Sequence, residues 1–322
     1  MQRAIPKLPQ RESVTKNFDI YNQENNMESM DKVRSKMEYK ELTPGTKIPV
    51  IGIGTWTMGG GLEGTDVTYD KENICAIKTA IKLGMTHVDT AEMYGCGHSE
   101  ELVGEAISDF NRETLFITTK VSPTNLRYDD LINSAKQSLK RLRTEYINLY
   151  LVHMPNPEIP IQETMGAMDF LCERGLVKHI GVSNFSVEQI KEAQKYAQNE
   201  IVANQIEYNL LIRNSGGLYN ANIESEIIPY CQANAILVVA YRPLAKGELV
   251  KRSFKTLDEL AKKYNKTQAQ IAMNWLISKK GIITIPKTSN IKHLKENLGA
   301  IGWRLKSKDI YKLDNQFEGS SL

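Results

Sequence analysis

From Tyr39 onward, short apolar runs alternate with stretches in which apolar residues recur at helical spacing. The runs Val50–Gly54, Thr86–Asp89, Leu115–Thr119, Ile147–Val152, Lys178–Val182, Ile201–Ile206, Ile236–Ala240 and Gly281–Ile285 read as strands. Between them, Lys71–Leu83, Ser99–Phe110, Asp129–Leu142, Gln162–Arg174, Ser186–Ala197, Ile223–Ala233, Leu257–Tyr264 with Thr267–Lys279, and Ile291–Leu298 read as helices. In the first of these, Ile74, Ala76, Ile77, Ala80 and Ile81 sit near one face. Ser186 with Gln189 three residues later reads as a helix start. Ahead of the alternation, Thr43-Pro44-Gly45-Thr46 separates two extended pieces and predicts a hairpin at the bottom of the fold. Ser307–Asn315 predicts one late helix. Eight strand–helix units make a parallel sheet, and eight in this length predict a closed α/β structure, a (β/α)8 TIM barrel.

Composition narrows the class. The 322 residues are 41% hydrophobic and 25% charged, ordinary for one large globular domain. A net charge of +3, spread evenly, argues against a nucleic-acid partner. No run approaches the length of a membrane span, so no membrane partner is expected. Cys75, Cys96, Cys172 and Cys231 lie far apart without a CxxC pair, the usage of reduced thiols in a cytoplasmic protein with no metal site. Cys96, two residues after Tyr94, reads as a small neighbour rather than a reactive thiol. Residues 1–36 mix charges of both signs with Asn-Gln-Glu-Asn-Asn and carry no apolar h-region. With little to bury they are expected to be a disordered extension before a barrel domain over 37–322.

Four residues carry candidate chemistry. Asp89, Tyr94, Lys120 and His153 each close or just follow one of the predicted strands. Carboxyl ends of parallel barrel strands gather on one face, where active sites sit. Tyrosine alone is a poor acid, with an ordinary pKa near about 10. A lysine cation beside it favours the phenolate, and a carboxylate can hold the lysine in place. An imidazole nearby can orient a carbonyl oxygen. Singly, each is an ordinary polar residue on a loop; together at successive strand ends they form a proton-donating group.

Five motifs give these residues a context. They are Gly52-Ile53-Gly54-Thr55-Trp56, His87-Val88-Asp89-Thr90-Ala91-Glu92-Met93-Tyr94-Gly95, Leu151-Val152-His153, Gly181-Val182-Ser183-Asn184-Phe185, and Ile285-Pro286-Lys287-Thr288-Ser289-Asn290. In this order and spacing the chain resembles the aldo-keto reductase superfamily, from about Tyr39 to about Leu313. The resemblance implies an NADPH-dependent oxidoreductase that reduces aldehydes or ketones, with no metal. It implies Tyr94 as general acid, Lys120 lowering its pKa, Asp89 orienting Lys120, and His153 hydrogen-bonding the substrate oxygen. The substrate would be a small carbonyl compound such as a sugar aldehyde, a dicarbonyl or a keto acid.

The same resemblance implies the cofactor contacts. Ser183, Asn184 and Gln205 match positions that hydrogen-bond the nicotinamide carboxamide, although Asn184 read alone serves equally as a helix cap. Tyr241 matches a ring that stacks under the nicotinamide, its bland reading being a core tyrosine. Arg242, Leu244 and Lys246 fall in the loop facing the pyrophosphate. Thr55 and Trp56 line the site near the nicotinamide, and Trp56 serves equally as packing at the barrel mouth. Lys287, Thr288 and Asn290 match the grip on the adenosine 2′-phosphate, with a helix start adding its dipole. Glu296 and Asn297 match contacts to the adenine amine.

Departures matter too. Met154 follows His153 where many members carry tryptophan, which removes one aromatic wall of the substrate pocket formed with Trp56, Tyr94 and His153. His293 stands where an arginine commonly stacks on adenine, and imidazole lacks arginine's planar fork. NADPH is therefore expected to be preferred, with weaker use of NADH. The segment after Lys120 and the tail after Leu313 are short, which implies an open pocket. A monomer or weak dimer is expected. The rival reading is a non-catalytic NADPH-binding regulatory subunit of the same fold.

Overall fold

The computed structural model describes residues 36–317 except positions 63, 216, 218 and 220. The extension expected over 1–36 lies outside the described residues, Lys36 apart. The described chain opens with an antiparallel hairpin, β1 (Tyr39–Thr43) on β2 (Thr46–Pro49). Eight parallel strands follow: β3 (Ile53–Gly54), β4 (His87–Asp89), β5 (Phe116–Val121), β6 (Ile147–Val152), β7 (Val177–Ser183), β8 (Ile201–Glu207), β9 (Leu237–Tyr241) and β10 (Ile282–Thr284). Each pairs with its successor in chain order. The ring closes where Ile51 bridges Thr284 and Gly54 bridges Lys287, both parallel. This is the (β/α)8 barrel that the alternation predicts.

Strand residues divide between two cores because successive side chains point to opposite faces. Phe116, Leu149, Leu151, Ala203, Leu237, Val239, Ile283 and Ile285 fill the barrel interior, and Leu42 and Ile48 of the hairpin join them. Val88, Ile117, Tyr150, Val152, Ile180, Val182 and Val238 face outward into the layer shared with the helices. Strands buried on both faces read as continuous apolar runs, which is why periodicity found them.

The hairpin is also tied down by polar contacts. Lys40 Nζ donates to the carbonyls of Ile277 (2.8 Å), Lys279 (2.5 Å) and Ile282 (2.5 Å), where the helix Gln268–Ser278 ends and β10 begins. The first two are carbonyls that the helix end leaves unpaired, where a cation suits the negative end of the dipole, and the third belongs to the start of β10. Lys40→Met is expected to lower unfolding free energy by about 2 kcal/mol, the scale of hydrogen bonds to a charged group. Urea unfolding measures this; an unchanged midpoint would remove the anchoring role.

Element boundaries shift for local reasons. The first barrel strand is two residues long rather than Val50–Gly54, because the chain there meets its neighbours only at isolated bridges. Gly52 is required at that approach: a Cβ would lie 2.6 Å from His87 Nδ1. The span Ile223–Ala233 is a π-helical turn, Ile223–Ile227, running into an α-helix, Ile228–Ala233. Pro229 has no N–H to continue an α-helical ladder back into that turn. The short helix Glu248–Lys251 carries no periodic signal at four residues. Ser186 caps the helix Val187–Tyr196 in a full capping box with Gln189, as expected. Among the described residues, no helix is long and apolar enough to cross a membrane.

Candidate active site

The carboxyl ends of the strands converge on a buried ion pair. Asp89 ends β4 and Lys120 lies in β5, both buried. Lys120 Nζ donates to Asp89 Oδ1 at 2.6 Å and to the Thr90 carbonyl at 2.7 Å. It stands 3.4 Å from the Tyr94 hydroxyl. The far carboxylate oxygen, Asp89 Oδ2, accepts from Gln205 Nε2 at 2.7 Å. Tyr94 is flanked edge-on by Trp56, at 4.8 Å between ring centroids, and by His153, at 5.6 Å. Four residues that are 64 positions apart at their extremes in sequence thus meet at one strand-end layer.

Tyr94 is held by its turn. Gly95 adopts φ +57° directly after it, and a Cβ there would come 2.1 Å from the Gly59 carbonyl. Gly95 N donates to the Gly61 carbonyl (2.8 Å), and Thr65 Oγ1 donates to the Gly95 carbonyl (2.9 Å). The glycine-rich segment after β3 is therefore stitched to the turn that presents the phenol. Cys96, next along, is exposed.

Electrostatics follow from burial. Burial pushes the Tyr94 phenol up; the Lys120 cation pulls it back and Asp89 pushes it further, leaving it above its ordinary value and protonated at neutral pH. Lys120 therefore makes the buried phenol a stronger acid than burial alone allows, without bringing it below the usual range. Burial pulls the Lys120 ammonium down, but Asp89 and the Tyr94 oxygen more than offset this and the net direction is up. Burial pushes the Asp89 carboxyl up, opposed by Lys120 and by the Gln205 amide. At 2.6 Å the pair is held as ammonium and carboxylate. His153 is pushed down to about 3 by burial and by the Lys120 charge, so its imidazole is neutral. Its Nδ1 is buried without a hydrogen-bond partner among the described residues.

A directional polar row borders the tetrad. Ser183 Oγ donates to the Gln205 carbonyl (3.0 Å), while Asn184 Nδ2 donates to Ser183 Oγ (3.0 Å) and the His153 carbonyl (3.2 Å). The Tyr241 hydroxyl donates to Asn184 Oδ1 at 3.0 Å. Asn184 has φ +62° and caps no helix, since that position belongs to Ser186. Tyr241 is half-buried at the end of β9, with one end in the barrel core and the other at its mouth. Thr55 is buried, sharing a hydroxyl chain with Ser99 (2.9 Å) and, through it, Thr90 (3.1 Å).

Other expected residues form two neighbouring patches. Arg242, Leu244 and Lys246 lie on the turn after β9, where Arg242, Ala245 and Lys246 all have positive φ. Arg242 Nη1 pairs with Glu207 Oε2 at 3.1 Å, which occupies part of a guanidinium expected to face a phosphate. Lys246 is exposed and Leu244 half-buried. The second patch begins at Lys287, joined to Gly54 by the closing bridge. Thr288 Oγ1 accepts from Asn290 N (3.0 Å), and Asn290 caps the helix Ile291–Leu298 by accepting from Lys292 N (2.8 Å). His293 is exposed on that helix, Glu296 half-buried and Asn297 buried. Met154 is half-buried beside His153.

Several contacts had no sequence signal of their own. Glu92 Oε1 accepts from Ser122 N (2.5 Å) and Asn125 Nδ2 (3.1 Å), tying the loop after β4 to the loop after β5. The bonds of Asp89 to Gln205 and of Arg242 to Glu207 are likewise new. Period-two alternation turns Asp89 and Gln205 both inward at strand ends, but only the closed ring brings them together.

Comparison with known proteins points one way. Residues 50–317 match the profile of the Aldo/keto reductase family. Methylglyoxal reductase YeaE of Escherichia coli (strain K12) is 34% identical over 274 residues, 84% of this chain and 91% of that protein. Glyoxal reductase of Bacillus subtilis (strain 168) is 31% identical over 276 residues, covering 85% and 91%. Among solved structures, the thermostable aldo-keto reductase Tm1743, crystallised with the inhibitor epalrestat, superposes with a TM-score of 0.82 at 45% identity, covering 87% of this chain and all of that one. A Klebsiella pneumoniae aldo/keto reductase in complex with NADP and acetate gives 0.77 at 32%, covering 85% and 93%.

Proposed function

Because the chain belongs to the Aldo/keto reductase family, an assignment that makes it an NAD(P)H-dependent oxidoreductase, we propose that it reduces aldehydes and ketones with NADPH and that Tyr94 delivers the proton. The observation that carries this reading is the protonated Tyr94 phenol standing 3.4 Å from the buried Lys120 ammonium, itself locked to Asp89.

The residues present fit the cofactor. Gln205 keeps an amide oxygen beyond its bond to Asp89, Tyr241 offers a half-buried ring at the barrel mouth, and Lys287 stands by the capped start of the helix Ile291–Leu298. Ser183, Asn184, Gln205, Tyr241, Thr55 and Trp56 would hold the nicotinamide end, and Lys287, Thr288, Asn290, His293, Glu296 and Asn297 the adenosine end. When bound, NADPH supplies the hydride. Tyr94 protonates the oxygen of the carbonyl as it gains negative charge, and the Lys120 cation stabilises the phenolate left behind. Asp89 keeps Lys120 in register. Neutral His153 donates to the same oxygen and orients it. Trp56 beside Tyr94 keeps water from the reacting face.

We further propose small reactive dicarbonyls as substrates. Met154 leaves the wall beside His153 low, the segment after Lys120 is short, and two relatives are named as methylglyoxal and glyoxal reductases. An NADPH-oxidation screen over aldehydes, ketoses, keto acids and dicarbonyls tests this. The highest kcat/KM on a 2-oxoaldehyde is expected, and the highest on a bulky sugar would reject it.

Lys287 and its turn are proposed to read the 2′-phosphate. Lys287→Glu is expected to raise the KM for NADPH by on the order of tenfold or more while moving that for NADH little, since it sets like charge against the phosphate. With His293 in place of arginine, wild type should favour NADPH yet retain measurable NADH activity. Equal effects on both cofactors would show that this turn does not discriminate.

A further inference from the structure

Gln205 touches the proton-donating group directly. Its Nε2 donates to Asp89 Oδ2 at 2.7 Å, while Lys120 holds Oδ1 at 2.6 Å. In a ring of eight strands β8 lies four places from β4, so this bond crosses the barrel's full width. The carboxylate is thereby held from a neighbouring strand on one oxygen and from the opposite wall on the other.

The chemistry fixes which way the amide faces. An ionised carboxylate only accepts, so the amide nitrogen must point at Asp89, and a flipped amide would set two oxygens against each other. The Gln205 backbone is fixed too, its carbonyl accepting from Ser183 Oγ (3.0 Å) and Asn184 N (2.9 Å). Its Oε1 remains, an acceptor suited to an amide N–H.

We propose that Gln205 is a positioning residue for the proton donor: it braces Asp89 across the barrel, so that Lys120 stays against Tyr94, while its remaining oxygen is left for the carboxamide contact that the family resemblance already implies. Cofactor docking and donor alignment then share one side chain. The carboxamide half rests on the reductase reading; the bracing half belongs to the protein alone.

Gln205→Glu separates the roles. The charged or titratable groups around it are Asp89, Lys120 and Tyr94 below, His153 beyond β6, and Tyr241 with the Arg242–Glu207 pair at the ends of β9 and β8. A protonated glutamic acid donates to Asp89 as the amide does. Ionised, it sets a second carboxylate against the first in a buried site, so it keeps its proton well above the ordinary glutamate range. A group whose pKa is raised on folding contributes stability that is lost as pH climbs through the folded value. The melting temperature of the cofactor-free variant should therefore fall relative to wild type between pH 5.5 and 8.5. At saturating NADPH the ratio of its kcat to that of wild type should be highest at the acidic end, then drop about tenfold per pH unit above the folded pKa.

A residue that only receives the carboxamide predicts otherwise. A glutamic acid side chain keeps an oxygen that accepts an amide N–H whether protonated or ionised, so a melting difference and a kcat ratio that stay flat with pH would overturn the proposal. Should Gln205→Glu not fold, Gln205→Leu removes the brace at similar volume. Its kcat at saturating NADPH should fall about tenfold, the cost of a misplaced catalytic group, whereas an unchanged kcat with only weaker NADP+ binding would overturn bracing. Wild-type protein that turns over no carbonyl would defeat the reductase reading while leaving the cofactor-free melting comparison to decide the brace.

Discussion

Tyr94→Phe should lower kcat for carbonyl reduction by about two orders of magnitude or more, the usual scale for losing a general acid. The substitution deletes one oxygen and keeps the ring that meets Trp56 and His153 edge-on, so the fold should hold. Among the described residues the hydroxyl hydrogen-bonds only Lys120 Nζ, at 3.4 Å, and Lys120 keeps its shorter bonds to Asp89 and Thr90 without it. NADP+ affinity, read from quenching of protein fluorescence, should therefore change by no more than about threefold, since each factor of ten would require some 1.4 kcal/mol of lost binding. A kcat near wild type would remove Tyr94 from the reaction. A matching collapse of affinity would instead make it a cofactor ligand.

Lys120→Met should be as damaging to turnover and far worse for the fold. It removes the cation that opposes the burial-raised pKa of Tyr94 and leaves Asp89 buried with Gln205 as its remaining donor. Breaking a buried pair in this way costs about 3–5 kcal/mol. The cost should depend on pH in a definite direction. Burial already pushes the Asp89 carboxyl up, and Lys120 is the charge that pulls it back. Without that charge the folded pKa rises further, and a group raised on folding is stabilising at low pH and loses this as pH rises. The deficit against wild type, from urea unfolding, should thus be largest at neutral pH and above and shrink toward pH 5. An equal deficit at both ends would show that Asp89 is not left charged and unpaired. Tyr94→Phe combined with Lys120→Met should slow the reaction little more than either alone, because the two act as one unit.

The barrel was legible because its signal is repetitive. Strands buried on both faces give unbroken apolar runs, and the tetrad could be placed because Asp89, Tyr94, Lys120 and His153 stand at or just past their ends. Long-range polar pairing was harder to read. Asp89 and Gln205 are 116 residues apart and meet only because the ring closes. Lys40 reaches helix-end carbonyls more than 230 residues away, a contact that depends on where the hairpin docks. Backbone conformation carried a weaker signal again. The positive φ of Asn184, Arg242 and Lys246 is imposed by packing around each turn, and these are not glycines whose presence would announce it. The Arg242–Glu207 pair shows the consequence: Arg242 lies in the loop just past β9, and its partner comes from the end of the neighbouring strand β8, 35 residues earlier in the chain.

We propose a site that passes hydride from NADPH to a carbonyl carbon while Tyr94 protonates the oxygen. Following methylglyoxal reduction with NADPH deuterated at the transferable C4 position tests it most directly. One deuterium per molecule of alcohol product is expected, with NADPH consumed in equal amount and the rate of product formation cut at least about a hundredfold in Tyr94→Phe. Tight NADPH binding without deuterium transfer to this or any other carbonyl in the substrate screen would contradict the account and make the protein a cofactor-binding module.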